Sequence, residues 1–298
     1  MQDRRLVRDN LLLLSVYMIK SEYMERYDEG LGTVYERFML NNYFDELMAS
    51  NDIKNVLEIP VYGMTGLTGI NSVHLAMKGC KIVLADARKE SVKEARELLE
   101  VLPVNGRYEV LLHEDMSRLP FRSDSFELVW NFAAIRHVGN ADLLLNEMAR
   151  VSSKFVLVFI PNRRQLGYIL RKYIFDRRFF DTIDETWIDL DRIKSHLKSR
   201  GMRIEDEGLI DIPVWPDTAV PVKNIFRKII KEKSGSSDNT GQQIFKRFWN
   251  WDIMNYYMGN NPGLKDRISR LSFLERMPAP WHVKVFWAHH QYVLCSKN

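Results

Sequence analysis

From Val56 to Phe159 the chain repeats one pattern, a short apolar run followed by a loop and a segment of helical period. The runs are VLEI (56–59), KIVLA (81–85), YEVLL (108–112), FELVW (126–130) and FVLVF (155–159). Strands this short and this continuously apolar are buried on both faces. Separated by helix-length segments, they align in parallel and are joined by crossover helices. NSVHLAMKG with Asn71 or Ser72 as cap, KESVKEARELLE, and NADLLLNEMARV with Asn140 as cap supply such helices, and every run but the last is expected to lead into one. MRIEDEGLIDIP and HHQYVLCSK add a sixth and a seventh strand. The expected fold is α/β, a Rossmann-like, seven-stranded, mostly parallel sheet with helices on both faces, N-terminal helices and a helical insertion before the last strand.

Outside that alternation, residues 1–50 read as a helical cover, with helices over 4–27 and 32–50 separated by Gly30 and Gly32. The α/β core then occupies 51–212, a helical insertion or lid 213–284, and the final strand 285–298. The insertion is too long for a hairpin loop. It carries an amphipathic stretch near NIFRKIIKEK, a polar SGSSDNTG loop, and an aromatic stripe of Phe245, Phe248, Trp249, Trp251, Tyr256 and Tyr257. Such a stripe lines an apolar pocket or packs the lid onto the N-terminal helices.

A formal charge of +4 over 298 residues gives no case for broad phosphate neutralisation, so nucleic acid is not an expected partner. Two distant cysteines, Cys80 and Cys295, exclude a disulfide scaffold and suit a reducing cytoplasm. RRLVRDNLLLLSVYMIK imitates a basic leader with an apolar core, but Asp9 and Asn10 interrupt it and no small-residue cleavage site follows, so a cytoplasmic location is expected. No apolar run approaches the ~20 residues that span a bilayer.

The informative residues follow the apolar runs, where open parallel sheets bind ligands. Glu58 ends the first run and precedes Gly63, Gly66 and Gly69; Asp86 ends the second, Asp115 follows the third, and Asn131 ends the fourth. The glycine spacing fits neither the dinucleotide nor the phosphate-loop fingerprint. With DMSRLPFRSDSFELV at 115–129, the set resembles class I S-adenosylmethionine-dependent methyltransferases, whose signature D-x-x-x-L-P-F-x-x-x-x-F-D-x-V it follows with Glu127 in place of the last aspartate. The likeness runs from about Val56 to Pro161.

That resemblance implies S-adenosylmethionine as cofactor. Asp86 would accept from both ribose hydroxyls, Asp115 from the adenine amine, and Met116 and Ala87 would flank the ring. Asn131 and Phe132 would lie at the methionine portion, and Glu58 would orient the glycine loop and the amino group. The loop is longer than the family form, with Pro60 at the first glycine's place and Gly69 aligned with the last one. A nicotinamide-dependent dehydrogenase is the competing reading of the same acidic residues, but it has no need of Asp115 and the LPF run.

Methyl transfer needs alignment, a dry site and an outlet for a proton. His137, in the loop after the fourth strand, is the candidate base, or else it opens the next helix. Arg136 reads as solvated rather than acceptor-pairing. Asn162 holds the acceptor or caps a turn, and His74 reads as structural. The run RRQLGYILRKYIFDRRFF, basic and aromatic, reads as an amphipathic helix with a solvated basic face rather than an RNA-binding element. His289 and His290 lack a cysteine or carboxylate at ligand spacing, so no metal is expected. The acceptor implied is a small, partly apolar molecule; a protein side chain, or a regulatory protein that binds cofactor without turnover, are the alternatives.

Overall fold

The computed structural model describes residues 31–61, 67–104, 106–170, 172–173, 180–181, 183–213 and 253–297. The expected first helix (4–27), Gly63, Gly66, the NIFRKIIKEK and SGSSDNTG segments and the aromatic residues 245–251 lie outside them.

Seven strands form one sheet: β1 (Asn55–Glu58), β2 (Lys81–Asp86), β3 (Tyr108–Leu112), β4 (Phe126–Phe132), β5 (Ser152–Pro161), β6 (Met202–Ile210) and β7 (His290–Lys297). Their order is β3-β2-β1-β4-β5-β7-β6. β7 runs antiparallel to both its neighbours, and the pairs formed among β1 to β5 are parallel. All seven expected strands are present. Strand order reverses between β1 and β4, so the ends of those two strands form the natural ligand crevice.

Helix α1 (Leu31–Ser50) precedes β1, and Gly32 lies inside it rather than before it. A 3-10 turn (Ile70–Ser72) leads into α2 (Val73–Met77), and α3 (Lys89–Val101) follows β2. α4 (Ala141–Val151) connects β4 to β5, and α5 (Leu166–Leu170) and α6 (Leu190–Ser199) connect β5 to β6. Before β7 come α7 (Ile253–Tyr257), α8 (Leu264–Leu271), α9 (Phe273–Arg276) and α10 (Trp281–Lys284). One expected helix is absent. The segment between β3 and β4 consists of turns, because Leu119–Phe121 is held from outside: Glu147 accepts the Leu119 amide at 2.7 Å, and Arg150 donates to the Phe121 carbonyl at 2.9 Å and the Leu119 carbonyl at 3.2 Å. The LPF signature is thus a strap clamped by α4.

Alternate strand residues feed two cores. Val56, Leu84, Leu128, Trp130 and Phe159 pack with α1 and α3 on one face. Leu57, Ala85, Val129 and Val158 pack with α4 and α6 on the other. The period of two is what a sheet covered on both sides requires. α1 crosses the first face, with Phe44 edge-on to Trp130 at 4.9 Å and Tyr43 edge-on to Phe159 at 5.8 Å. Tyr256 and Tyr257 pack onto the same helix, through Phe38 at 4.8 Å and an Asn41 bond at 2.9 Å, so this part of the aromatic stripe packs the lid onto α1. No helix among the described residues is long and apolar enough to cross a membrane.

Gly69 sits tightly between β2 and α3. Its φ is +86°, and an added Cβ would lie 3.0 Å from Leu84 Cδ1 and 3.2 Å from Ala95 Cβ. Both conformation and space demand glycine. Gly69→Ala should lower unfolding free energy by about 2 kcal/mol or more, combining the left-handed backbone penalty with overpacking, as read by denaturant titration. A change within 0.5 kcal/mol would show that the turn relaxes freely.

Candidate active site

Glu58 ends β1 with 1% of its surface exposed. Its carboxylate accepts from Ser72 Oγ at 2.6 Å and from Asn71 Nδ2 at 3.5 Å. Ser72 stands at the N-cap of α2, as expected, but makes no side-chain cap bond; it and Asn71 turn back to the strand instead. The Asn71 Oδ1 atom is buried without a hydrogen-bond partner. Burial pushes the Glu58 carboxyl up to about 7, against the bonds from Ser72 and Asn71 and the Arg37 charge, which lower it.

Asp86 ends β2 and is 2% exposed. The Arg88 amide and Nε donate to its Oδ1 at 2.8 and 2.9 Å, and Arg88 Nη2 donates to Oδ2 at 3.0 Å. Ala87 beside it is half-buried. Beyond β3, Asp115 is exposed and accepts from the Ser117 amide and hydroxyl through Oδ1. These two bonds hold its carboxyl below the usual range. Met116 is buried.

At the end of β4 the side chains do other work than the sequence suggests. Asn131 is fully buried: Nδ2 donates to the Ile59 and Pro60 carbonyls at 2.9 and 3.4 Å, and Oδ1 accepts the Ala134 and Ile135 amides at 3.1 Å each. Its amide therefore joins the ends of β1 and β4, with no capacity left for a ligand. Phe132 lies next along the strand, with its ring 4.7 Å from that of His290.

His137 sits in a 3-10 turn (Ile135–His137), where its Nε2 accepts from Arg136 Nε at 3.3 Å. Burial, Arg136 and Arg88 push its pKa down to about 4. Arg136 is 3% exposed, not solvated, and its carbonyl accepts the Asp184 amide at 3.0 Å. Asn162 is also fully buried; it donates to the Val285 and Ala288 carbonyls at 2.6 and 2.8 Å and accepts the Arg164 amide at 3.0 Å. It fastens the segment before β7 to the end of β5. His74 meets Asp45 at 2.8 Å and ties α2 to α1. In the described part of the basic run Arg163 pairs with Asp189 at 2.8 Å and Lys172 with Glu185 at 2.6 Å, while Arg164 lies over the Trp281 ring at 5.5 Å.

The two histidines before β7 do have carboxylate neighbours. His289 Nδ1 lies 2.7 Å from Asp211 Oδ2, and His290 Nδ1 lies 3.7 Å from both Asp211 and Glu36. Sequence spacing conceals this group, because its members come from α1, the end of β6 and the start of β7.

Residues 64–159 match the family described as a methyltransferase domain. That match agrees with the resemblance of the 56–161 segment to class I S-adenosylmethionine-dependent methyltransferases. No curated protein matches it in sequence. Among solved structures it is similar to the [4+2]-cyclase SpnF, at 14% identity over 87% of this chain and 80% of that one, with a TM-score of 0.50. It is also similar to the MccD protein, at 16% identity over 87% and 96%, TM-score 0.50. A magnesium protoporphyrin IX methyltransferase from Synechocystis PCC 6803 with bound SAH aligns at 17% identity over 59% and 78%, TM-score 0.47. At these identities the shared property is the fold.

The raised Glu58 pKa has a stability consequence. The folded carboxyl, at about 7, holds a proton that the unfolded chain releases near 4.5. Stability is therefore fully present below the lower value and declines as pH rises through the higher one, by about 3 kcal/mol from this group. Glu58→Gln should flatten the pH 5–7 limb of the unfolding curve relative to the parent. An equally steep limb in the variant would place the proton elsewhere.

Proposed function

We propose that this methyltransferase moves the methyl group of S-adenosylmethionine to a small, partly apolar acceptor, with Glu58, Asp86 and the Asp115–Met116 turn as its cofactor contacts. The observation that carries the reading is the buried carboxylate Glu58 beside the partnerless Asn71 Oδ1. Two adjacent buried acceptors in an apolar crevice suit a ligand that brings a positive ammonium group. The donor set therefore fits the cofactor this family uses.

Asp86 supplies the second contact. A carboxylate has about four lone-pair sites, enough to receive vicinal hydroxyls once Arg88 yields part of its hold. Met116 offers buried apolar surface beside Asp115, and half-buried Ala87 a small one after Asp86. Gly63 and Gly66, outside the described residues, remain proposed loop contacts alongside Gly69. Phe132 closes the crevice with an apolar ring, whereas Asn131 acts by joining strand ends. When bound, the cofactor supplies a methyl already activated by its sulfonium, so the chain has only to orient the acceptor and exclude water.

His137 is a poor candidate base. Its Nε2 already receives Arg136, and a pKa near 4 leaves little affinity for an acceptor proton at neutral pH. Support for an apolar acceptor comes from Leu166, Trp281 and Phe286, exposed where α5 meets the segment before β7 and joined there by the Leu166 amide to the Phe286 carbonyl at 3.1 Å.

Calorimetry with S-adenosylmethionine should show one site per chain. Asp86→Asn should weaken it about 10- to 100-fold, the worth of a charge-assisted hydrogen bond pair. Unchanged affinity would remove the ribose assignment. With methyl-labelled cofactor and fractionated cell extract, label should enter the small-molecule fraction; label in protein instead would redirect the acceptor class. His137→Ala should keep turnover within about threefold of the parent across pH 6–9, whereas loss of an alkaline plateau would reinstate it as a base.

A further inference from the structure

Beyond Phe132 lies a polar group that the cofactor contacts leave unused. Glu36 on α1, Asp211 just after β6 and His290 at the head of β7 are 5%, 1% and 8% exposed. One ligand atom from each lies within 4.8 Å of the others. His290 Nδ1 stands 3.7 Å from Glu36 Oε2 and 3.7 Å from Asp211 Oδ2, too far for a hydrogen bond to either, and it has no hydrogen-bond partner. Asp211 Oδ1 is likewise buried and unpartnered. A buried imidazole nitrogen and a buried carboxylate oxygen without partners, facing a second buried carboxylate, are costly as they stand.

The spacing suits a shared ion. A tetrahedral metal with bonds of about 2.0–2.2 Å keeps its ligands roughly 3.3–3.6 Å apart, so the 3.7 Å separations need to contract only slightly. His289 contacts Asp211 at 2.7 Å, the kind of outer bond that orients a ligating carboxylate. Glu275 adds another carboxylate close by, accepting the Ile212 amide at 2.6 Å, and the Arg37 guanidinium is 3.5 Å from Glu36.

We propose that Glu36, Asp211 and His290 form a divalent transition-metal site, with water or an oxygen-bearing small molecule completing the coordination. One nitrogen and two oxygens suit Zn²⁺ or Mn²⁺ rather than the all-oxygen shells of Mg²⁺ and Ca²⁺. The ring of His290 lies 4.7 Å from that of Phe132 at the end of β4, so the site adjoins the crevice on the side away from Asp86. Under the proposed function this is the acceptor side, and the inference rests on that reading for its role but not for its metal.

The test uses the full chain without a histidine tag, stripped by chelator and titrated with Zn²⁺ and with Mn²⁺ by calorimetry. One saturable site is expected, weakened more than roughly 100-fold in Glu36→Gln, Asp211→Asn and His290→Ala, and unchanged in the exposed control His282→Ala. Because a variant at a buried cluster can fail to fold, far-UV circular dichroism accompanies each, and Co²⁺ absorption of the parent chain gives a second measure. Intense visible bands of a low-symmetry nitrogen–oxygen site support the proposal. Absence of saturable binding, a Co²⁺ spectrum like that of the free aquo ion, or equal affinity in folded ligand variants overturns it. Cofactor affinity is measured on the same samples, so intact cofactor binding without metal binding sinks only the metal site, and the converse sinks only the cofactor contacts.

Discussion

A carboxylate kept out of water holds the crevice together. Glu58 sits at the point where strand order reverses, and its two acceptor oxygens draw Ser72 and Asn71 inward. Those contacts bend the chain back over the end of β1 as a 3-10 turn before α2 begins. The same turn carries Gly69, whose missing side chain lets it settle against Leu84 of β2 and Ala95 of α3. Gly69, the end of β1 and β2 are thereby brought together around a single ionisable group. A group buried at such a cost is one that a charged ligand is well placed to relieve.

α1 extends this arrangement across the sheet. Its Phe44 and Tyr43 lock onto Trp130 and Phe159 in the carboxyl-terminal halves of β4 and β5. Its first turns then reach the carboxyl end of the strands, bringing Glu36 and Arg37 over the far half of the crevice. Arg37 acts electrostatically on Glu58 and on Glu36 alike, so the two polar groups on either side of Phe132 share one cation. A helix that looks like a cover in sequence thus links both halves of the site.

How legible this was depended on the range of the forces involved. The inner strands could be read because burial on both faces makes each run apolar and its period independent of its neighbours, whereas the edge strands β3 and β6 are only partly buried and are read from their place in the alternation. Glu58 and Asp86 could be placed because strand ends are a topological address. Asn162 does cap a turn through the Arg164 amide, one of its two readings, but its bonds to the Val285 and Ala288 carbonyls, and the strand-joining bonds of Asn131, could not be foreseen, since a polar residue at a strand end looks the same whether it awaits a ligand or is held by carbonyls far off in sequence. The missing helix before β4 has the same origin, for Glu147 and Arg150 on the following helix hold that strap. Glu127 belongs here too: the residue that departs from the family signature accepts the Asn55 amide at 2.6 Å and joins the starts of β1 and β4.

The Asp86–Arg88 contact shows how such a site can stay closed to water and still accept a ligand. Three donors of Arg88 occupy most of the lone-pair capacity of the carboxylate, so two ribose hydroxyls cannot both bind without displacing part of that set. The Arg88 side chain is 39% exposed while that of Asp86 is 3% exposed. Retreat of the guanidinium therefore returns its own charge to water. The buried carboxylate has no such alternative and must be satisfied by whatever replaces it. Because the backbone amide of Arg88 can stay bonded to Oδ1 throughout, the exchange leaves the strand end in place, and the energetic preference for an occupied Asp86 works in favour of the incoming ligand.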